Sequence, residues 1–157
     1  MSKSNQTLAI WQRLSQKPGG RFVFSRLVCW KAPYFSSIRP RFVELQPGYS
    51  KVTMKKRRRV QNHIGTVHAI AMCNLAEIAA GTMTDATVPQ SLRWIPKGMT
   101  VEYLKRAETS VAAVATIQPL PEFIPDTEIP VHVAVTDTND QVVFRAVISM
   151  WLSQKKK

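Results

Sequence analysis

The sequence predicts an α/β fold of the α+β type, with one long central helix and a largely antiparallel sheet. Residues 67–80 contain neither proline nor glycine, and apolar residues predominate on every face, a composition typical of a buried helix. From residue 38 onward apolar and polar residues alternate in short runs, with the period of two that is typical of strands. The 157 residues provide one hydrophobic core rather than two, so a single domain is expected.

Ahead of the sheet, residues 1–37 are expected to form a helical extension. A first helix over residues 5–16 is indicated by apolar side chains at helical spacing, namely Leu8, Trp11 and Leu14. The Pro-Gly-Gly run of residues 18–20 ends this helix, because neither residue type continues a helix readily. Residues 21–31 are ambiguous between helix and strand. A helix is favoured there by the spacing of Val23, Leu27 and Trp30.

The sheet is expected to begin with a β-hairpin. Two alternating runs over residues 38–45 and 49–54 are separated by a Gln-Pro-Gly turn signal. The five cations of residues 55–59 follow, and because a strand would point them to both faces, this segment must leave the packed sheet. After the central helix a polar linker over residues 82–91 leads to further strands. These are predicted over residues 99–106, 110–118, 130–136 and 141–152.

Residues 38–152 are therefore expected to form the sheet domain, with a basic tail over residues 153–157. The later strands are apolar on both faces, so the sheet needs two covers. The central helix would supply one cover, and either the N-terminal segment or a second subunit would supply the other. We predict at least a homodimer, with a homotetramer built as a dimer of dimers as the larger alternative.

The net charge of +12 and the pI near 10.2 favour a polyanionic partner. Nucleic acid, an anionic membrane surface and a phosphate-rich small molecule such as coenzyme A all fit this charge. The chain has no zinc-ligand set, helix-turn-helix signature or aromatic RNA-binding motif, so nucleic acid is not expected. No apolar run reaches the roughly 18 residues of a membrane span, and the N-terminus lacks the pattern of a secretory signal. These features predict a cytoplasmic protein with no integral membrane segment.

The two cysteines, Cys29 and Cys73, have no metal-ligand spacing, and no metal site is expected. Cys73 falls inside the proposed central helix. Both are predicted to be reduced, packed side chains, and a disulfide between them is the alternative that the sequence leaves open.

The central helix carries the first candidate functional residue. Thr66 is expected as its N-cap and Gly81 as the C′ residue that follows its end. Glu77 stands between apolar neighbours in the middle of the helix, where an unpaired buried carboxylate is costly and needs a partner or a function. The alternative role for Glu77 is an ordinary ion pair or a cap for a neighbouring loop.

A local motif surrounds the start of this helix. Asn62, Gly65 and His68 stand at the spacing Asn-x-x-Gly-x-x-His, and a Leu-Ala-Glu run follows that ends at Glu77. This pattern resembles the hotdog-fold acyl-CoA thioesterases of the phenylacetate-pathway type, and the second half of the chain resembles a less characterised, basic branch of hotdog proteins. The resemblance covers residues 39–152. It implies a hotdog fold, in which an antiparallel sheet wraps around the long central helix. It also implies hydrolysis of an acyl-CoA thioester, and no cofactor beyond the coenzyme A that the substrate carries.

The resemblance also implies roles for individual residues. Glu77 would act as the general base that takes a proton from water, and Asn62 would orient the water or the thioester. Backbone N–H groups of Ala69 or Ile70 at the helix start could polarise the thioester oxygen. These two residues replace the Gly-Gly of the family pattern, and their side chains restrict access to the amides. For His68, a structural role that fixes the loop is favoured over a catalytic one.

Further residues are expected to contact the substrate. Arg57 and Arg59, within the basic run, and Lys97, ahead of a later strand, could bind the phosphates of coenzyme A. The alternative is a solvated cationic edge that discourages association between sheets. Gly65 and His63 belong to the motif loop and complete the predicted substrate-binding set.

Two rival functions stay open. The missing double glycine favours a non-catalytic hotdog protein that binds acyl-CoA or lipid. His63 precedes Glu77 by 14 positions, as in hotdog hydroxyacyl-thioester dehydratases. The dehydratase motif, however, fills this interval with prolines, and here the interval contains none. The motif therefore favours the thioesterase over the dehydratase.

Overall fold

The computed structural model describes residues 5–155, and within them a six-stranded antiparallel sheet wraps around one long helix. The helices are α1 (Gln6–Ser15), α2 (Gly20–Lys31) and α3 (Ala69–Thr87), with short 3-10 helices at Pro33–Ser37 and Arg58–Val60. The strands are β1 (Arg41–Gln46), β2 (Tyr49–Met54), β3 (Leu92–Tyr103), β4 (Val111–Thr116), β5 (Glu128–Thr136) and β6 (Val142–Gln154). Their order across the sheet is β1-β2-β4-β5-β6-β3, so β1 and β3 are the edges. The predicted α+β architecture is confirmed.

The ends of the predicted segments differ slightly from the structure. Residues 1–4 of the helical extension and residues 156–157 of the basic tail lie outside the described residues. Strand β6 continues to Gln154, so the first two residues of the predicted tail belong to the sheet. Among residues 5–155, no helix is long and apolar enough to cross a membrane.

Helix α3 begins later than predicted. His68, not Thr66, is the N-cap: its backbone is extended, and its Nδ1 accepts the Ile70 N–H at 3.0 Å. The Thr66 hydroxyl instead accepts a hydrogen bond from Asn62 Nδ2 at 2.8 Å within the preceding loop. A local side-chain contact therefore removes Thr66 from the capping position.

Helix α3 also ends later than predicted. It continues past Gly81, the predicted C′ residue, to Thr87, so the predicted polar linker is helical over residues 82–87. Gly81 is interior because the ring of Trp94 packs on it, and a Cβ at this position would lie 2.9 Å from Trp94 Cη2. Pro89 follows the end of the helix and cannot continue it. The glycine therefore permits close packing rather than termination.

The N-terminal helices form as predicted, but α2 faces the other way. Asn5 caps α1 by accepting the Thr7 N–H at 3.0 Å, and Trp11 is its buried residue. In α2 the buried side chains include Phe24 and Cys29. The residues whose spacing predicts this helix, Val23, Leu27 and Trp30, are all exposed. The apolar spacing identified the helix but not its buried face.

The predicted β-hairpin and the departure of the basic run from the sheet are both confirmed. β1 and β2 pair in antiparallel register with Gln46 opposite Tyr49, and the turn contains Gly48 at a φ of 75°. A bulge between Phe42 and Glu44 interrupts the alternation in β1. Residues 55–57 then leave the sheet and lead into the second 3-10 helix.

The inner face of the sheet packs on α3 and forms the core. Alternate residues of β5 and β6 are buried there, namely Ile129, Val131, Val133, Val135, Phe144, Ala146, Ile148, Met150 and Leu152. On the outer face an open concavity of about 580 Å³ is lined by residues that include Val114, His132 and Val147. The N-terminal segment does not line this concavity: α1 packs on α2 and α3, and α2 packs on β1. Of the two covers that the sequence leaves open for this face, the N-terminal segment is therefore not the one that lines the concavity.

Candidate active site

Glu77 projects from the middle of α3 into a mainly apolar cavity of about 320 Å³, which Lys31 also lines. Phe35, Ile78, Trp94 and Pro96 contribute to its walls, so the cavity lies between the helices and β3. Glu77 itself is half-buried. Among residues 5–155 its carboxylate makes no hydrogen bond and no ion pair. The carboxylate is thus held in an apolar site but is free to contact a ligand or a water molecule.

A second carboxylate in the same cavity has a different environment. Asp85 lies two turns after Glu77 on α3 and accepts a hydrogen bond from Trp94 Nε1 at 3.3 Å. It also accepts from the Thr7 hydroxyl, and its backbone carbonyl accepts from the side chain of Asn5. Asp85 therefore fastens α1 to α3. From its sequence position Asp85 falls in the predicted polar linker, and no role is predicted for it.

The amides at the start of α3 are unequally available. The Ile70 N–H is occupied by His68 Nδ1, and the Met72 N–H donates to the His68 carbonyl at 3.2 Å. The Ala69 N–H has no acceptor among the described residues. It lies at the positive end of the helix dipole and beside a cavity of about 370 Å³, which Asn62 and Tyr103 also line. Of the two predicted donors, the Ala69 amide is the one left free.

Asn62 organises the loop that precedes α3. Its Oδ1 accepts from the backbone amides of Ile64 and Thr66, each at 3.1 Å. Its Nδ2 donates to the Thr66 hydroxyl, and its own amide donates to the Thr66 carbonyl at 2.9 Å. Gly65 sits at the tip of this loop with a φ of 78°, a conformation that favours glycine. His63 is exposed beside it and lines neither cavity.

The predicted phosphate-binding cations lie in different places. Arg57 donates to the Ser37 carbonyl at 2.8 Å, and burial, followed by the charges of nearby arginines including Arg59, lowers its pKa. Lys97 stands at a bulge on the outer side of β3, 3.8 Å from Glu128 Oε2 and 4.4 Å from the centre of the Trp151 ring. The structure therefore separates Lys97 from the arginines.

Tyr103 is a site residue that is not among the residues predicted from the sequence. It ends β3, lines the cavity at the start of α3, and its hydroxyl lies 3.4 Å from Cys73 Sγ. This hydrogen bond raises the pKa of Tyr103, and burial and the negative charge of the ionised Cys73 thiolate act in the same direction. Only the pairing of β3 with the rest of the sheet brings the two residues together, so no local sequence signal marks them. Both cysteines are free and buried, as predicted.

The two halves of the predicted site are separate within one chain. Glu77 lines one cavity, whereas Asn62 and Ala69 line another. Glu77 stands eight positions after Ala69 on the helix, or about 12 Å along its axis at 1.5 Å per residue. Within residues 5–155, no three His, Cys, Asp or Glu side chains gather in a way that could hold a metal ion.

Comparisons with known proteins establish what the chain is similar to. A crystal structure described as "genomics APC5556" is 49% identical, with 97% of this chain and 99% of that chain covered and a TM-score of 0.83. A probable thioesterase of unknown function, PA5026 from Pseudomonas aeruginosa, is 22% identical, with coverage of 83% and 93% and a TM-score of 0.74. No curated protein matches the chain.

A third structure adds a ligand. The protein smu.793 from Streptococcus mutans UA159, bound to acetyl CoA, is 20% identical, with coverage of 74% and 90% and a TM-score of 0.62. These likenesses confirm the predicted hotdog fold. The family model described as "Domain of unknown function (DUF4442)" matches residues 20–152. The chain therefore belongs to the DUF4442 family of proteins and has a hotdog fold.

Proposed function

We propose that the protein hydrolyses an acyl-CoA thioester, with Glu77 as general base. The single observation that carries this proposal is the unpaired carboxylate of Glu77 in an apolar cavity. A structural carboxylate would have partners, as Asp85 does on the same helix. The hotdog neighbours support the reaction class, because one is described as a probable thioesterase.

Two groups carry out the reaction, one from each of two protomers. Glu77 removes a proton from a water molecule as its oxygen attacks the thioester carbonyl carbon. The Ala69 N–H donates to the carbonyl oxygen, which becomes an oxyanion in the tetrahedral intermediate. When the intermediate collapses, the C–S bond breaks, and the leaving thiolate of coenzyme A takes the proton from Glu77, which restores the carboxylate. The acid is released, and no redox step or cofactor is required.

A homodimer would complete this site. We infer that the Ala69 and Asn62 cavity of one protomer faces the Glu77 cavity of the other, because the two cavities are separate within a chain. The edge strand β3 has no partner on one side and exposes Ile95, Met99 and Tyr103. A long edge with exposed apolar side chains is normally covered in the native protein. Pairing of β3 with the same strand of a second copy would provide that cover. A homotetramer built as a dimer of dimers is the larger alternative.

The ligand is proposed to be a coenzyme A thioester in a cytoplasmic setting. The bound acetyl CoA of smu.793 supports coenzyme A as the carrier group. The apolar walls around Glu77 suit an acyl chain, and Arg59 is the cation of the basic run that we assign to the phosphates. His68, which caps α3 through Nδ1, is assigned to positioning the Ala69 amide rather than to chemistry.

The first test replaces the proposed base. Glu77→Gln should lower kcat by about 10² to 10⁴, because the amide cannot take the proton from water. The measurement is thiol release across a panel of acyl-CoA thioesters of increasing chain length. Asp85→Asn is the matched control, since it removes a charge from the same cavity and should retain most of the activity. Full activity in Glu77→Gln would remove Glu77 from the mechanism.

The second test removes the proposed donor. Proline is tolerated at the first helical position, and the extended backbone of His68 suits the residue before a proline, so Ala69→Pro should fold. It lacks the N–H, and we expect kcat to fall by about 10² to 10³. Ala69→Gly keeps the N–H and should retain activity. Equal activity of the two variants would exclude this amide as the donor.

One observation favours the non-catalytic rival. Because His68 occupies the Ile70 amide, only one of the two expected donors is available. Saturable binding of acyl-CoA without thiol release from any thioester in the panel would select this alternative. For the dehydratase rival, His63 lies outside both cavities, which favours hydrolysis. Loss of the enoyl absorbance of crotonyl-CoA without thiol release would instead establish hydration.

A further inference from the structure

The solvent side of α2 carries an apolar ridge, formed by Val23, Leu27 and Trp30. These residues stand at i, i+4 and i+7, and their exposed fractions are 46%, 46% and 84%. Phe22 lies at one border of the ridge and Tyr34 follows its end, and both are more than half exposed. The ridge is about 10 Å long at 1.5 Å per residue. Large contiguous apolar side chains on a surface mark an interaction site.

A strongly basic pocket adjoins this ridge. It has a volume of about 380 Å³ and shares Phe22 with the border of the ridge. Its other lining residues are Arg26, Arg39, Arg41, Thr53, Lys55 and Arg57. Within the described part of the chain, none of these five cations lies within ion-pair distance of an acidic side chain. The pocket therefore concentrates positive charge that the protein does not neutralise.

Contacts inside the pocket show how the charge is held in place. The guanidinium groups of Arg26 and Arg41 lie 5.6 and 5.8 Å from the centre of the Phe22 ring. Arg26 Nε is buried and has no acceptor among the described residues. Burial and the charges of Arg39, Arg59 and Arg26 lower the pKa of Arg57. An anion in the pocket would supply the acceptors and the negative charge that are missing.

The charge distribution along the chain agrees with this location. Residues 1–43 contain eight Lys or Arg and no Asp or Glu, so they carry +8 of the net charge of +12. A basic helix with Trp and Leu on its outward face has the character of a segment that lies in a membrane interface. Nucleic acid fits less well, because the ridge would offer aliphatic side chains to phosphates.

We propose that α2 and the basic pocket form a docking surface for an anionic lipid bilayer. Trp30, Leu27 and Val23 enter the boundary between headgroups and acyl chains. The cations of the pocket bind the phosphates of anionic headgroups, and their attraction adds to the burial of the ridge. This surface is distinct from the Glu77 and Ala69 cavities, and its test does not depend on thioester hydrolysis.

The test is co-sedimentation of the full chain with vesicles at physiological salt. We expect binding to phosphatidylcholine vesicles that contain phosphatidylglycerol, and none to phosphatidylcholine alone. Trp30→Ala should weaken binding roughly tenfold or more, from the apolar area it withdraws. Arg41→Gln and Lys55→Gln should each weaken it about fivefold. Ile124→Ala and Arg93→Gln are the matched controls, because they change an exposed apolar residue and an exposed cation outside the ridge and the basic pocket. Both variants should bind as the wild type does.

Further measurements distinguish lipid headgroups from coenzyme A as the source of phosphate, and a bilayer from a second copy of the chain as the partner. On vesicle binding the tryptophan emission should shift to the blue, and Trp30→Phe should bind but lose most of this shift. Inhibition of vesicle binding by free coenzyme A at micromolar concentration would overturn the proposal, since it would make the pocket a site for the substrate phosphates. Absence of vesicle binding, with a smaller oligomer for Trp30→Ala in light scattering, would assign the ridge to a contact between copies and also overturn it.

Discussion

Helices α2 and α3 differ in what surrounds their apolar residues. In α3 nearly every side is covered, and Leu75, Ala79 and Met83 are fully buried. In α2 the narrow buried face contains Phe24 and Cys29, while its largest apolar side chain, Trp30, is 84% exposed. The difference follows from position, because α3 runs through the concave side of the sheet and α2 packs on the edge strand β1.

The comparison shows that apolar content has two different meanings in one small protein. In α3 it supplies the core, and hydrophobic burial there holds the sheet around the helix. On the outward side of α2 it contributes nothing to the fold of a single chain, so it is available for a partner. Substitutions in the two helices should therefore change the free energy of unfolding by very different amounts.

The largest expected effect comes from the same substitution made in both helices. Leu75→Ala removes a fully buried side chain, and we expect a loss of about 2 to 5 kcal/mol in the free energy of unfolding. Leu27→Ala should change it by no more than about 0.5 kcal/mol, because this side chain is exposed. Urea denaturation followed by circular dichroism measures both values.

Each variant serves as the control for the other, since the chemical change is identical. If Leu27→Ala lowers the free energy of unfolding nearly as much as Leu75→Ala does, the proposed difference between the two helices is contradicted. That result would mean that the outward side of α2 is covered in solution. Measurement at two protein concentrations distinguishes cover by a second copy from cover within the chain, because association makes the unfolding midpoint depend on concentration.

A smaller effect should come from Gly81, where α3 meets β3. In Gly81→Ala the new Cβ would lie 2.9 Å from Trp94 Cη2, so the ring must move. Overpacking lowers the free energy of unfolding by about 1 to 3 kcal/mol, whereas the higher helix propensity of alanine raises it by about 1 kcal/mol. We expect a net loss of about 1 kcal/mol by urea denaturation. In a Trp94→Leu background the same change should become neutral or stabilising, and an unchanged loss there would exclude the ring as the cause.

Much of the fold could be predicted from the sequence because its signals are local. The strand alternation, the hairpin turn and the apolar run of α3 each depend on neighbouring residues. The ends of α3 could not be predicted, because they are decided by competing contacts. The Thr66 hydroxyl accepts a hydrogen bond from Asn62 instead of capping the helix. The Trp94 ring packs so closely on the helix at residue 81 that only glycine fits there without displacing it. The outward orientation of α2 was equally hidden, since Val23, Leu27 and Trp30 form a stripe that would suit a buried face.

The candidate site could be predicted as a set of residues but not as an arrangement. Glu77 was identifiable because a carboxylate is unusual within an apolar helix. The free Ala69 amide could not be distinguished from that of Ile70, because the choice depends on the rotamer of His68. The contact between Cys73 and Tyr103 joins residues 30 positions apart and depends on the sheet register.

The smallest expected effect is a pH dependence that arises from the buried face of α2. Burial raises the pKa of the Cys29 thiol, and the nearby charge of Arg26 opposes this shift only in part. As the pH rises, the thiol ionises first in the unfolded chain, whose cysteine pKa is about 8.5. The stability that the neutral thiol contributes is therefore complete below that pH and is lost as the pH rises through the higher pKa of the folded state. The test compares urea unfolding of the wild type and of Cys29→Ala from pH 7 to pH 10, with a reducing agent present. Their difference in the free energy of unfolding should be constant at the lower end and become smaller above about pH 8.5, because only the wild type loses this contribution. Other groups that titrate in this range are common to both proteins and cancel in the difference. A difference that stays constant to pH 10 would mean that the Cys29 thiol ionises equally easily in both states, and that the inner side of α2 is open to solvent.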